Sequence, residues 1–147
     1  MIYDIITFSI SNQKFAVELQ KVPIILSAKE YLPNNFTLIN NNYYFKFSNY
    51  ETELINLASL LKLKNCSVGD TTKILVGQNG DEMFGLLVDE VKEIINLNGE
   101  AEANFFENNN NPDKYFLGTL EVFNERLKII NVEEVLKKRF ENHNPLL

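Results

Sequence analysis

Few side chains in this sequence could carry out chemistry, and their positions do not suggest a catalytic group. The only histidine, His143, lies in a polar stretch near the end of the sequence, where a side chain is rarely held rigidly enough for catalysis. The only cysteine, Cys66, has no second cysteine for an intramolecular disulfide and cannot by itself form a thiolate metal site. The six glycines match neither a Walker-type nor a dinucleotide-type phosphate-binding pattern. The sequence therefore predicts a protein that is not an enzyme and that has no cofactor, no metal site and no catalytic residues.

One acidic cluster needs separate consideration. Asp89, Glu90 and Glu93 could bind a cation or act as a carboxylate pair. No histidine or second acidic motif lies nearby in the sequence, so a solvated strand face is the favoured interpretation. An enzyme or small-ligand domain built on a β-barrel stays open as an alternative, and a deep pocket lined by these three residues would favour it.

Charge and composition restrict the classes of partner. The 147 residues carry a formal net charge of -6, which repels nucleic acid phosphates and anionic lipid headgroups. No apolar run approaches the ~20 residues that a membrane-spanning helix needs. The first ten residues have an acidic residue, Asp4, no basic start and no small-residue cleavage site, and they predict a strand and not a signal peptide. We therefore expect a cytoplasmic domain without nucleic acid partners and without direct membrane insertion.

Strand patterns dominate the sequence. Apolar and β-branched residues alternate in three pairs of segments, each pair separated by a polar turn, and the Asn79-Gly80 turn is the strongest of the three signals. The predicted hairpins join Ile2–Ile10 to the strand that resumes at Phe15, Thr71–Val76 to Met83–Val88, and, across Asn124-Glu125, Phe116–Phe123 to Arg126–Ile130.

Helices are predicted at two places. Asn131 is a suitable N-cap, and Glu134 three residues later completes a capping-box pattern. A shorter helix is expected around residues 57–61. Residues 27–35 and 96–114 are expected to be loops, the second of which ends in a run of asparagines.

The most informative pattern is a weak internal repeat. Phe15 and Phe84 lie 69 positions apart, and the turns and apolar residues around them coincide at that offset. Further along, Leu54 and Ile129 define a second offset of 75 positions, so six extra residues fall in a loop of the second half. We expect one domain over residues 1–147 whose halves, about 1–66 and 67–147, are too small to bury a large core separately. Two small barrels that share an apolar interface would solve this problem.

The sequence resembles the CheW-like family. The segment from Gly85 to Val91 is similar to the family's Gly-hydrophobic-Val-Asp-x-Val strand, and residues 127–136 are similar to its closing hairpin and helix. The opening residues 6–10, 15–17 and 21–22 resemble the first strands of the family. The resemblance covers nearly the whole chain, although it depends on the order and spacing of several motifs and not on a single one.

This sequence departs from the family at one motif. Where the family has Asn-Leu-Arg-Gly, the chain has Lys46-Phe47-Ser48-Asn49, so Ser48 stands in place of the arginine. Glu53 stands where a proline is usual, and Tyr43 where a glycine is usual. A serine hydroxyl provides neither the planar fork nor the permanent charge of a guanidinium, so it cannot make the contacts that need this arginine.

The resemblance implies a mainly β fold of two SH3-like five-stranded barrels packed together, with a C-terminal α-helix. It implies a non-enzymatic adaptor that couples the cytoplasmic tip of a chemoreceptor to the regulatory domain of a CheA-like histidine kinase. A structural or binding module with another partner and no kinase coupling is the main alternative. The family's interaction groove lies between the barrels, and with the altered motif it predicts the protein-interaction residues Val22, Ile24, Ile25, Phe47, Ser48, Leu87 and Val88. Ile24 is the preferred outward-facing anchor.

Overall fold

The structure is a computed structural model of the 147-residue chain. It describes residues 4–39, 42–64, 68–97, 103–107 and 113–141. Cys66, the asparagine run at 108–111 and His143 lie outside the described residues. The expectations for these positions therefore stay predictions.

Most of the described chain is β-strand, as the alternating pattern predicts. Three short helices and one 3-10 turn, at Leu19–Lys21, complete the described elements. The strands are β1 Asp4–Ile10, β2 Gln13–Glu18, β3 Ile24–Ser27, β4 Phe36–Ile39, β5 Asn42–Phe47, β6 Tyr50–Asn56, β7 Lys73–Asn79, β8 Glu82–Val88, β9 Glu90–Asn96, β10 Ala103–Glu107, β11 Phe116–Val122 and β12 Glu125–Ile130. The helices are α1 Ala28–Asn35, α2 Leu57–Leu60 and α3 Val132–Glu141.

Two regions that were expected to be loops contain regular structure. Residues 28–35 form helix α1, and residues 103–107 form strand β10. Local sequence concealed the helix because it contains Pro33 and two asparagines, which ordinarily end helices. Packing overrides this preference, since Ala28 and Leu32 are buried in an apolar cluster.

The strands form two sheets of six, and each sheet takes strands from both halves of the chain. Sheet A has the order β10-β11-β12-β2-β1-β9, and sheet B has the order β3-β7-β8-β6-β5-β4. The first hairpin of each half, β1-β2 or β7-β8, thus lies in the sheet that the other half completes. The parallel pairs β12-β2 and β6-β8 join the exchanged hairpins to their sheets.

The hydrogen-bonded registers repeat between the sheets at the offsets of 69 and 75 residues. In sheet B, Leu54 pairs with Gly85. The equivalent residues are Ile129, which lies 75 positions after Leu54, and Ala16, which lies 69 positions before Gly85. These two residues pair in sheet A. The connection from β4 to β5 has two residues and that from β10 to β11 has eight, which accounts for the six extra residues. The division of the domain at residue 66 stays a prediction.

Each sheet must curl toward a barrel. A flat sheet of six strands would be about 24 Å wide at ~4.8 Å between neighbours. The eight residues of α1, which join the two edge strands of sheet B, extend only about 12 Å. The edge strands β3 and β4 are therefore held close together. When each strand of sheet A is replaced by its equivalent at the repeat offsets, the strand order is the same as that of sheet B. We call the curled sheets barrel A and barrel B; each has six strands where five were expected.

The apolar side chains form three clusters. One fills barrel A, one fills barrel B, and the largest lies between the barrels and includes residues from α2 and α3. Ile5 points into barrel A and its neighbour Ile6 into the central cluster, as the two-residue period of a strand requires. Strand β1 is consequently buried on both faces.

Side-chain capping fixes the two helices that contribute to the central cluster. The backbone N–H of Glu134 donates to Oδ1 of Asn131 at 3.3 Å, as the capping pattern predicts. Asn56 precedes α2 in the same way and accepts from the N–H groups of Ala58 and Ser59. The caps are 75 positions apart, so the repeat extends to the start of both helices.

Candidate protein-interaction surface

Three of the predicted interaction residues belong to barrel B. Ile24 on β3, Phe47 on β5 and Leu87 on β8 pack against one apolar cluster and are all partly exposed. They line the barrel from different strands, and Leu87 pairs with Ile74 in the centre of the sheet. Partly exposed apolar residues on a rigid sheet can contact a partner without unfolding the barrel.

The other apolar residues of the predicted set belong to the central cluster. Val22 and Val88 have relative exposures of 0% and 1%, and Ile25 packs against the same cluster with part of its surface exposed. Val22 and Val88 therefore hold the barrels together and have no surface to offer a partner in this arrangement. The predicted residues thus divide between two clusters and do not line a single groove.

Ser48 lies at the exposed turn of the β5-β6 hairpin. Ser48 and Asn49 both have left-handed backbones, with φ of 48° and 67°, which is the pattern of a type I′ turn. Phe47 and Tyr50 pair across this turn, and Tyr50 is 62% exposed. The altered motif therefore presents a hydroxyl and an aromatic ring where the family has a guanidinium.

Three tyrosines of barrel B were missed as candidate surface residues from the sequence. Tyr31 of α1 packs on Phe45 and Phe47, with ring centroids 6.3 and 6.2 Å apart, and covers part of barrel B. Tyr43 and Tyr50 are exposed aromatic residues on the neighbouring strands. The alternation of the segment 43–47 could have indicated one aromatic face, but Tyr31 could not be found because its segment was expected to be a loop.

The acidic cluster has a structural role at its first member. Oδ2 of Asp89 accepts a 2.7 Å hydrogen bond from the backbone N–H of Ser11, and the N–H of Asp89 donates to the carbonyl of Ser9. Glu90 forms an ion pair with Lys92 at 3.0 Å. Within the described parts of the chain, no group of three or more His, Cys, Asp or Glu side chains could hold a metal ion.

An ion pair connects the 3-10 turn at Leu19–Lys21 to α3. Lys21, in the 3-10 turn, donates to the carboxylate of Glu133 in the first turn of α3. This hydrogen bond raises the pKa of Lys21, although partial burial opposes the shift. The same hydrogen bond lowers the pKa of Glu133. Both side chains keep substantial exposure, so the pair orients the turn more than it stabilises the fold.

Comparison with known proteins decides the family. The profile of the CheW-like domain matches residues 4–140, which is almost the whole chain. The chain belongs to the CheW-like domain family. The fold is also similar to the crystal structure of the scaffolding protein TtCheW from Thermoanaerobacter tengcongensis, with a TM-score of 0.67 and 15% sequence identity. That match covers 92% of this chain and 88% of the other. A search of curated protein sequences finds no match.

Membership confirms the mainly β architecture of two SH3-like barrels. CheW-like proteins are non-enzymatic scaffolds of chemotaxis-type signalling, and they couple receptors to the CheA kinase. Among the helices that the structure describes, none is long and apolar enough to cross a membrane.

Proposed function

We propose that this CheW-like chain is a cytoplasmic adaptor that couples a chemoreceptor tip to the regulatory domain of a CheA-like histidine kinase. The observation that carries the proposal is the family assignment over residues 4–140. The assignment agrees with an architecture that offers two barrels held in fixed relation by a shared core. An adaptor needs this rigidity because its effect depends on the relative positions of two partners.

The surface of barrel B supports one of the two contacts. Ile24, Phe47 and Leu87 combine partial exposure with a rigid apolar support, which is the environment of typical interface anchors. A standard interface buries about 800 Å² per partner, so these residues would supply only part of one. Exposed Tyr50 and Ser48 lie at the neighbouring turn and would extend this surface.

The experiment is a binding titration with the kinase regulatory domain and the receptor tip from the same genome. We expect the chain to bind both, and Ile24→Glu to weaken at least one interaction. Gln20→Glu is the matched control, because it adds the same charge at a nearby exposed position. If the folded chain fails to bind the kinase regulatory domain or fails to bind the receptor tip, the proposal is contradicted.

Ser48 favours a second candidate function. Since the family arginine is absent, the chain could be a structural component of an array, or a module for another partner, without kinase control. Reconstitution of receptor and kinase separates the two candidates. The adaptor changes kinase activity in a receptor-dependent way, whereas the structural component binds and leaves activity unchanged.

A further inference from the structure

The open end of barrel A contains a pocket of about 110 Å³. We call it the barrel A mouth. Its floor is apolar and its rim carries charged side chains, a combination suited to holding one side chain of a partner in a defined orientation. Its lining includes Lys14, Glu93, Ile95, Val122, Phe123 and Leu127.

Comparison with barrel B explains why this space exists. The positions related to Lys14, Glu93 and Val122 by the repeat offsets are Met83, Ile24 and Phe47. These three larger or more apolar residues pack against the cluster that fills barrel B. The replacement of an aromatic ring by a valine, and of two apolar residues by charged ones, leaves the barrel A mouth incompletely filled.

The molecule itself shows what closes such a mouth. In barrel B, the Tyr31 ring lies 6.2 Å from the Phe47 ring and covers it from α1. The position related to Tyr31 by the 69-residue offset is Glu100, and residues 98–102 include no aromatic residue. The sequence at these positions therefore supplies no equivalent of the Tyr31 ring, and an aromatic side chain of a partner could take its place.

The exposure and backbone conformation of Phe123 also favour a partner side chain bound at the barrel A mouth. Phe123 is 59% exposed at the rim and has a left-handed backbone, with φ of 51°. Ser48, its equivalent at the 75-residue offset, adopts φ of 48° at the corresponding turn. A bulky aromatic residue is rare in this conformation, and its exposure adds a second cost. A contact that uses the ring would compensate for both.

The rim charges define the chemistry next to the occupant. Lys14 pairs with Glu125 at 2.7 Å, and Lys92 pairs with Glu90 at 3.0 Å. No ion pair joins Glu93 to any residue that the structure describes, and its carboxylate is exposed at the rim. Together with the net charge of -6, this carboxylate is complementary to a cationic group.

We propose that the barrel A mouth binds an aromatic side chain of a partner protein, adjacent in the partner's sequence to a lysine or arginine that pairs with Glu93. The ring lies on Ile95, Val122 and Leu127 beside Phe123, as Tyr31 lies on Phe47 in barrel B. This surface is on the opposite barrel from the contact proposed above. It deepens the adaptor proposal by giving the second contact a chemistry, but binding at the mouth does not depend on kinase coupling.

The test is a methyl NMR titration of the full chain with two probes, N-acetyl-Tyr-Lys-amide and N-acetyl-Tyr-Glu-amide. We expect the methyl signals of Ile95, Val122 and Leu127 to shift, with a Kd of roughly 1–10 mM for the lysine probe. The glutamate probe should bind about threefold more weakly, as expected for an exposed ion pair. The methyl signals of Val76 and Leu26 in barrel B serve as internal references.

Two variants make the result decisive. Val122→Phe copies barrel B, fills the mouth and should abolish the shifts; Glu93→Gln should remove the preference for the lysine probe while keeping the fold. Glu82→Gln, an exposed strand position on β8, is the matched control. Absence of shifts at the mouth, or an unchanged preference in Glu93→Gln, would overturn this inference. Ile24→Glu should leave the titration unchanged, so failure here and failure of kinase binding are distinguishable.

Discussion

The backbone N–H of Ser11 donates a 2.7 Å hydrogen bond to Oδ2 of Asp89, across 78 positions of sequence. Ser11 is the left-handed first residue of the β1-β2 turn, and Asp89 lies at the junction of β8 and β9, where the chain passes from sheet B to sheet A. This bond therefore fixes the exchanged hairpin of the first half to the crossing point of the second. The aspartate of the family's Val-Asp strand motif acts here as a structural acceptor.

Removal of this acceptor should destabilise the protein. We expect Asp89→Ala to lower the free energy of unfolding by about 1–2 kcal/mol, because the N–H of Ser11 loses a charged partner that is only partly exposed. Asp89→Asn keeps an acceptor oxygen and should cost less. Urea unfolding measures the difference, and Asp81→Ala at an exposed turn should change stability by less than about 0.5 kcal/mol. Equal effects of the two alanine variants would contradict this role.

Gly77 allows strand β7 to pack closely against the 3-10 turn that contains Lys21. A Cβ at this position would lie 2.1 Å from the carbonyl oxygen of Lys21 and 2.7 Å from Cζ of Phe84. Because one obstacle is backbone, Gly77→Ala should cost about 2–3 kcal/mol of stability. A Cβ at Gly69 would meet no atom within 4 Å, so Gly69→Ala is the matched control. Thermal unfolding of both variants tests the difference. If Gly77→Ala leaves stability unchanged, β7 and the turn are packed less closely than described.

The Lys21–Glu133 pair gives stability a defined pH dependence. The pKa of Glu133 is lowered in the folded protein, so its contribution is present above the ordinary value of 4.5 and is lost as the pH falls through the lowered pKa. The pKa of Lys21 is raised, so its contribution is present below the ordinary value of 10.5 and is lost as the pH rises through the raised pKa.

A double-mutant cycle of Lys21→Met and Glu133→Gln measures this coupling. We expect about 0.2–1 kcal/mol at pH 7, the range for exposed pairs, and a smaller value at strongly acidic pH. The Lys92–Glu90 pair, which lies within one strand, is the control for general salt and pH effects. A coupling that stays constant from neutral to strongly acidic pH would contradict the assignment.

Ile24 is the residue whose replacement best separates binding from folding. Ile24→Glu should weaken binding of the kinase domain or receptor tip at least tenfold, about 1.4 kcal/mol, because a carboxylate replaces a partly exposed apolar contact. Since Ile24 also packs inside barrel B, Ile24→Thr, which keeps the branched shape, provides a milder second variant. Circular dichroism verifies the fold of both. Full binding by both folded variants would remove Ile24 from the proposed surface.

The repeat in the sequence predicted the strands but not their neighbours. Alternation shows that Ile5 and Ile6 face opposite sides of a strand, and both are buried as the pattern indicates. It does not show which half supplies the adjacent strand, because β12 and β6 are equally suitable partners for β2 from sequence alone. The exchange of hairpins depends on the parallel pairing of strands distant in sequence, and no local signal specifies this pairing.

Turn and helix details departed from local rules where tertiary contacts decide. The Asn79-Gly80 turn is centred one residue later than expected, since Asn79 pairs with Glu82 and Gly80 has φ of 62°. Helix α1 forms around Pro33 because barrel B needs a cover. Family position indicates Ile24 as the outward-facing residue, but it does not show that Val22 is buried in the central cluster.

The most direct measurement of the adaptor function is the autophosphorylation rate of the partner kinase, reconstituted with its receptor in membranes and titrated with this chain. If the chain couples the two proteins, the rate should depend on both chain and receptor, and a saturating receptor ligand should reverse the change. Ile24→Glu should shift the titration to higher concentration. A rate that stays the same at every concentration of folded chain, with receptor and kinase both competent, would contradict the account.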